Sequence, residues 1–178
     1  MLNIRSKEEF LDIKECSHLV DRINKIDMWE NAGNEFWDNR ALNINTIQNR
    51  IDKHTADIVR SAILSCKNFI MSEYNLDKEI YPDIAQVIRW FPGMEQPPHA
   101  DDMTNTEHKG LEHRVFGAII YLNDDYEGGR TFYPDYNFEV IPKAGMIAVH
   151  PGDPSHMHGV TKILNKTRYT IASFWTYD

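Results

Sequence analysis

The chain has 178 residues, of which 19 are Lys or Arg and 27 are Asp or Glu, so its formal net charge is −8. This length predicts one domain, residues 1–178, with a sizeable core. The acidic balance argues against a nucleic-acid surface, which normally carries a basic stripe. No apolar run approaches the roughly 20 residues that span a bilayer, and the N-terminus lacks a signal peptide's apolar centre. We therefore expect a cytoplasmic protein that binds neither nucleic acid nor membrane.

The first 80 residues have a helical pattern and are expected to support a second region. Apolar residues recur at three- and four-residue spacing from Phe10 to Ile23, which predicts a helix. Ser17 offers an alternative start, as the cap of a shorter helix that leaves residues 9–13 extended. A wider apolar stripe predicts a second helix over about residues 52–74.

Two other features of this region carry structural expectations. Residues 28–39 hold Trp and Phe side chains among Asn and Gly, which indicates a packed loop. Cys16 and Cys66 fall in the helical stretches and lack the CxxC spacing of zinc or redox sites. We expect both to be buried, reduced thiols.

From residue 81 onward, short apolar runs separated by Gly and Pro predict strands. These runs cover residues 84–91, 115–122, 131–133, 138–141, 145–149, 158–163 and 169–175. Short strands at near-regular spacing are typical of a β-sandwich or jelly roll. We expect a mainly β fold with flanking helices, in which residues 81–178 form a double-stranded β-helix (jelly-roll) core. The helices of residues 1–80 would pack on the outside of one sheet.

His99 and Asp101 lie one residue apart, in Pro-Pro-His-Ala-Asp. Side chains at i and i+2 of a strand point the same way, so a strand end would aim both at one point. A second histidine from a neighbouring strand would complete the two-His, one-carboxylate ligand set of non-haem Fe(II) oxygenases. His158 is the candidate for that ligand, and His156 and His150 compete with it.

Arg168 follows His158 by ten residues and precedes a nearly continuous apolar run, Tyr169–Trp175. A charge that enters such a strand usually has a buried partner. A guanidinium can hold a carboxylate through two parallel hydrogen bonds. The pattern is compatible with one iron atom and one dicarboxylate cosubstrate in the same pocket.

Two further blocks lie between these residues: Tyr121-Leu-Asn, and Glu127-Gly-Gly-Arg-Thr-Phe-Tyr-Pro134. With the His-x-Asp pair, the distal histidine and Arg168, they make an ordered set from Ile84 to Trp175. In this set the chain resembles the prolyl 4-hydroxylase-like branch of the 2-oxoglutarate- and Fe(II)-dependent dioxygenases. The spacing of that family favours His158 over His156 as the third ligand.

The resemblance implies a role for each matching residue. Iron would be bound by the catalytic residues His99, Asp101 and His158. Arg168 would pair with the distal carboxylate of 2-oxoglutarate, helped by the hydroxyls of Tyr121 and Thr131.

The resemblance also implies an activity and its cofactors. The cofactors are Fe(II), 2-oxoglutarate as cosubstrate and O2, and the family is also compatible with L-ascorbate. The implied reaction hydroxylates an unactivated C–H bond of a peptidyl or free amino acid, proline first, and releases succinate and CO2. The sequence leaves the substrate and the oligomeric state open.

The chain departs from the family pattern at two positions. Trp90 and Gln96 stand where relatives often have tyrosines, which places prolyl specificity in question. A nucleic-acid demethylase of the same superfamily is the competing enzyme class, but the segment after Arg168 lacks the usual Asn and second Arg. The same ligand pattern would also suit a non-catalytic jelly-roll metal-binding module or a cupin-like metal site.

A polar segment, residues 102–114, follows the His-x-Asp pair. Its position predicts a lid over the site. His108 and His113 in this segment are expected to be solvated and not ligands. His54, on the polar side of the second helix, is expected to be structural or exposed.

Overall fold

The computed structural model describes residues 3–27, 29–30, 36–103 and 110–177. The helices are α1 (Ile13–Ile23), α2 (Ile44–Arg50) and α3 (Lys53–Glu73), with 3-10 turns at Pro134–Tyr136 and Pro154–His156. The strands are β1 (Arg5–Lys7), β2 (Ala41–Asn43), β3 (Tyr81–Trp90), β4 (Gln96–His99), β5 (Phe116–Tyr121), β6 (Thr131–Tyr133), β7 (Phe138–Val140), β8 (Ile147–Pro151), β9 (His158–Val160) and β10 (Arg168–Thr176). Parts of the predicted loop (28 and 31–35) and of the predicted lid (104–109, including His108) lie outside the described residues.

The strands form two antiparallel sheets that face each other. The larger sheet has the order β1-β8-β5-β10-β3-β2, and the smaller has the order β4-β9-β6-β7. Buried side chains from both sheets pack between them, including Tyr121 of β5 and Tyr133 of β6. The prediction of a mainly β, jelly-roll core is confirmed.

The helices cover the outer face of the larger sheet. Val59, Ala62 and Cys66 of α3 share one buried cluster with Ile171 and Trp175 of β10. The predicted packing of N-terminal helices on one sheet is therefore confirmed. The two thiols are free and buried, and burial raises the pKa of Cys16 to about 11 and of Cys66 to about 12.

Helix starts follow from side-chain caps. The Asp12 carboxylate accepts a hydrogen bond from Lys14 N at 2.7 Å, so α1 begins there. The alternative start at Ser17 is wrong, because Ser17 lies inside the helix and its Oγ donates to Ile13 O at 2.9 Å. In α3 the cap is Asp52, and the predicted helix is confirmed.

The first 80 residues also contribute strands, which the sequence pattern did not predict. β1 pairs with β8 and β2 pairs with β3, so both lie at the edges of the larger sheet. A strand of three residues is too short to show a repeat of two. No helix among the described residues is long and apolar enough to cross a membrane.

Candidate metal centre

His99, Asp101 and His158 meet at one end of the smaller sheet. His99 ends β4 and is paired in register with His158, the first residue of β9. Asp101 lies in the turn directly after β4. Asp101 Oδ1 is 3.5 Å from His158 Nε2 and 3.8 Å from His99 Nε2. One ligand atom from each residue lies within 4.8 Å of the others, so the three are close enough to share one metal ion.

Backbone carbonyls orient both imidazoles. His158 Nδ1 lies 3.1 Å from His156 O, and His99 Nδ1 lies 3.1 Å from Pro97 O. A carbonyl oxygen only accepts hydrogen bonds, so each Nδ1 carries the proton and each Nε2 keeps its lone pair. The two Nε2 atoms are also the ring nitrogens nearest to Asp101 Oδ1. Two imidazole lone pairs and one carboxylate oxygen together form a ligand set that suits a divalent cation.

The charges at this point favour metal binding. Burial lowers the pKa of His158 to about 3, so its imidazole is neutral at physiological pH. Burial works to raise the pKa of Asp101, but the surrounding histidines, His158 first, and a hydrogen bond from His150 hold it below its ordinary value. A neutral imidazole and an ionised carboxylate are the forms that ligate metals.

Arg168 lies nearby, buried at the start of β10. Its side chain is 2% exposed, and its Cζ lies 5.3 Å from the ring centre of Tyr121 and 5.6 Å from that of Trp90. In the described part of the chain no acidic residue forms an ion pair with Arg168, and its Nε has no hydrogen-bond partner. Tyr121 Oη lies 2.7 Å from Thr131 Oγ1, and both residues are fully buried. A buried cation without a protein anion beside two hydroxyls fits a bound carboxylate.

The Gly128-Gly129 turn makes room for this arginine. Both glycines have positive φ, 73° and 60°, which a side chain would disfavour. A Cβ at Gly129 would lie 2.9 Å from the Tyr126 ring and 3.1 Å from Arg168 Cδ. Sequence reasoning missed Tyr126. Burial raises its pKa, Arg168 lowers it, and its position beside the Gly-Gly turn was the available signal.

The structure separates the competing histidines. His156 lies in a 3-10 turn, where its Nδ1 is 3.0 Å from Ser155 Oγ, and it is outside the triad. His150 contacts Asp101 but is also outside the triad. His113 is 44% exposed and pairs with Asp83 at 3.3 Å. His54 is exposed, as expected.

A cavity of about 630 Å³ joins the triad to Arg168. Its walls are largely apolar and include Trp37, Ile88, Trp90, Val160 and Phe174. Gln96 also lines it, with its side-chain nitrogen 3.3 Å from His99 Nε2. The two positions that depart from the family pattern, Trp90 and Gln96, therefore both face the cavity.

Arg40 supports the tryptophan wall and was not singled out by its sequence. It is 1% exposed, and its Cζ lies 3.9 Å from the Trp90 ring centre, 4.7 Å from that of Trp37 and 4.4 Å from that of Phe36. Burial, and then the charge of Arg168, lower the pKa of Arg40 to about 10. This cation therefore holds three aromatic rings together beside the cavity.

Known proteins share both sequence and fold with the chain. It is 34% identical over 92 residues to procollagen-lysine,2-oxoglutarate 5-dioxygenase of Drosophila melanogaster, a match that covers 49% of this chain and 12% of the relative. It is 27% identical over 82 residues to a putative prolyl 4-hydroxylase of Acanthamoeba polyphaga mimivirus, covering 43% of this chain and 34% of the relative. The matches therefore span about a third or less of these relatives' lengths.

Solved structures agree on the fold across nearly the whole chain. The viral collagen prolyl hydroxylase of Paramecium Bursaria Chlorella virus-1, in its 2OG complex, superposes with a TM-score of 0.71 at 14% identity, covering 99% of this chain and 96% of that one. A Trichoplax adhaerens prolyl hydroxylase, in complex with a hypoxia inducible factor peptide fragment, gives 0.68 at 16% identity, covering 99% and 84%. The profile of the 2OG-Fe(II) oxygenase superfamily matches residues 85–177, just over half of the chain. The chain belongs to the 2OG-Fe(II) oxygenase superfamily.

Proposed function

We propose that the chain is an Fe(II)- and 2-oxoglutarate-dependent dioxygenase that hydroxylates a C–H bond of a peptidyl or free amino acid, proline first. Succinate and CO2 would be the coproducts. The observation that carries the proposal is the convergence of His99, Asp101 and His158 within 4.8 Å, in a cavity that also contains the buried Arg168, which forms no ion pair with the described acidic residues. Residues 1–178 would act as one catalytic domain, with 81–178 as its core and 1–80 as its support.

In this proposal the triad holds iron, and the iron, when bound, supplies the oxidising chemistry. The protein residues bind and orient. Two carbonyl-anchored imidazoles and one ionised carboxylate would hold the metal, and they are the ligand types of non-haem Fe(II) oxygenases. Arg168 would pair with the distal carboxylate of 2-oxoglutarate, helped by the hydrogen-bonded hydroxyls of Tyr121 and Thr131.

The cavity and the relatives together support the proposed substrate class. The walls beyond the triad are largely apolar, which suits an aliphatic side chain such as a proline ring. A lysine-containing peptide is the second candidate, because the Drosophila relative is named as a procollagen-lysine dioxygenase. The formal charge of −8 disfavours a nucleic-acid substrate. A cytoplasmic location and use of L-ascorbate remain predictions.

The proposal is tested by succinate release and product mass with four substrates: a proline-rich peptide, a lysine-containing collagen-like peptide, free proline and a methylated oligonucleotide. We expect a proline substrate to gain one oxygen atom and His99→Ala to abolish coupled succinate release. Turnover of the oligonucleotide alone would contradict the proposal.

The cosubstrate role is tested separately with Arg168→Met, which keeps the bulk of the side chain and removes its charge. Removing one partner of a buried charge pair costs about 2 kcal/mol or more, so the Kd for 2-oxoglutarate should rise about 30-fold or more. An unchanged Kd would show that Arg168 does not hold the carboxylate.

A further inference from the structure

His150 is a buried histidine beside the triad, and both of its ring nitrogens are engaged. It lies in β8 and is 1% exposed. Its Nε2 is 2.9 Å from Asp101 Oδ2, and its Nδ1 is 2.8 Å from Tyr133 Oη in β6. The three side chains form a continuous hydrogen-bonded chain that links the two sheets to the candidate metal site.

The proton positions in this chain follow from its two ends. The Asp101 carboxylate is ionised and only accepts hydrogen bonds, so His150 Nε2 carries a proton and donates to Oδ2. Burial raises the pKa of Tyr133 well above its ordinary value, so the phenol keeps its proton and donates to His150 Nδ1. Neither ring nitrogen then has a lone pair left for a metal, which separates His150 from the ligands.

The two oxygens of Asp101 consequently have different partners. Oδ2 is held by His150, whereas Oδ1 faces His158 Nε2 at 3.5 Å and His99 Nε2 at 3.8 Å. The His150 ring also packs against the His158 ring, with centroids 4.0 Å apart. One side chain therefore restrains the rotation of the carboxylate and supports one of the two imidazoles.

The sheet is built to accommodate this contact. Gly117 of β5 lies opposite His150 in the strand register. A Cβ at Gly117 would lie 1.9 Å from Asp101 Oδ2 and 2.6 Å from His150 Nε2. Only a residue without a side chain leaves the space in which this hydrogen bond forms.

We propose that His150, fixed by Tyr133, is a positioning residue that presents Asp101 Oδ1 alone to the iron and thereby raises the affinity of the protein for the metal. This inference rests on the proposed iron site. Groups that orient metal ligands through hydrogen bonds typically contribute about 10- to 100-fold to metal affinity. His150 cannot act as a fourth ligand, because both of its ring nitrogens already form hydrogen bonds.

The test measures Mn(II) binding to metal-free protein by the electron paramagnetic resonance signal of free Mn(II), at neutral pH and without cosubstrate. His150→Phe keeps the ring bulk and removes the donor to Asp101, so the Kd should rise about 10- to 100-fold. His150→Gln places an amide N–H near the position of Nε2 and should restore most of the affinity. Tyr133→Phe releases the Nδ1 end and should weaken binding less than His150→Phe.

His18→Phe is the control, because it replaces a half-buried histidine of α1 that hydrogen-bonds Thr55 and lies outside the triad, and it should bind Mn(II) like the wild type. If a folded His150→Phe protein binds Mn(II) with wild-type affinity, the inference about His150 is wrong but the proposed iron site stands. If the wild type does not bind Mn(II), both are wrong. Equal loss in His150→Gln and His150→Phe marks His150 as a ligand and also refutes the positioning role. If His150→Phe does not fold, unchanged affinity in Tyr133→Phe overturns the inference.

Discussion

Gly117→Ala is expected to weaken metal binding strongly in an otherwise folded protein. A Cβ at this position would lie 1.9 Å from Asp101 Oδ2, whereas ordinary contacts begin at 3.4 Å. β5 is paired on both sides, with β8 and β10, so its backbone cannot move away. The carboxylate must therefore shift by about 1.5 Å, the difference between these distances, which far exceeds the ~0.2 Å tolerance of a metal–ligand bond.

The expected result is a Kd for Mn(II) that rises by about 100-fold or more, with a loss of about 1–3 kcal/mol in the free energy of unfolding from overpacking. Mn(II) titration and urea unfolding measure the two effects. Ile120→Val is the matched control. Ile120 also lies in β5, is 1% exposed and packs in the buried cluster that the helices share with the larger sheet. The control should lose about 1 kcal/mol of stability and keep its Mn(II) affinity. A folded Gly117→Ala protein with wild-type Mn(II) affinity would show that the added Cβ does not displace the Asp101 carboxylate.

Three further predictions concern charge, packing and cosubstrate. Burial holds the pKa of His158 at about 3, so as pH falls below 6.5 the unfolded state binds a proton that the folded state does not. The free energy of unfolding of metal-free protein, measured in urea, should fall by about 2 kcal/mol between pH 6.5 and pH 5. An equally steep fall in His158→Gln would show that His158 is not its cause. Arg40→Met removes the hydrogen bonds that Arg40 donates to the carbonyl oxygens of Phe36 and Arg89. The free energy of unfolding should fall by about 3 kcal/mol. A variant as stable as the wild type would show that Arg40 does not hold the aromatic cluster together. Tyr121→Phe should raise the Kd for 2-oxoglutarate by about tenfold, and equal affinity would remove Tyr121 from the cosubstrate site.

Local pattern was sufficient for the elements that are long or repetitive. The apolar stripe of α3 spans several turns, so its ends at Asp52 and Tyr74 could be predicted closely. β1 and β2 have three residues each, which is too short to display alternation. They form because the larger sheet offers unpaired edges, and that is a property of the folded chain.

The ligand candidates could be found from spacing, but their supporting residues could not. The one-residue gap between His99 and Asp101 indicates by itself that both side chains can point the same way at a strand end. His150 gains its role only through the register of β8 against β5, which brings Gly117 opposite it. His156 and His158 are indistinguishable by alternation, and the 3-10 turn that ends at His156 separates them.

We propose that the triad and Arg168 form one site for Fe(II) and 2-oxoglutarate. The most direct test of this claim is anaerobic titration of Fe(II)-loaded protein with 2-oxoglutarate, followed by visible absorption. We expect a weak metal-to-ligand charge-transfer band that saturates with cosubstrate. The band should be absent in His99→Ala and should need a higher cosubstrate concentration in Arg168→Met. No band from the wild-type protein at millimolar 2-oxoglutarate would contradict the claim.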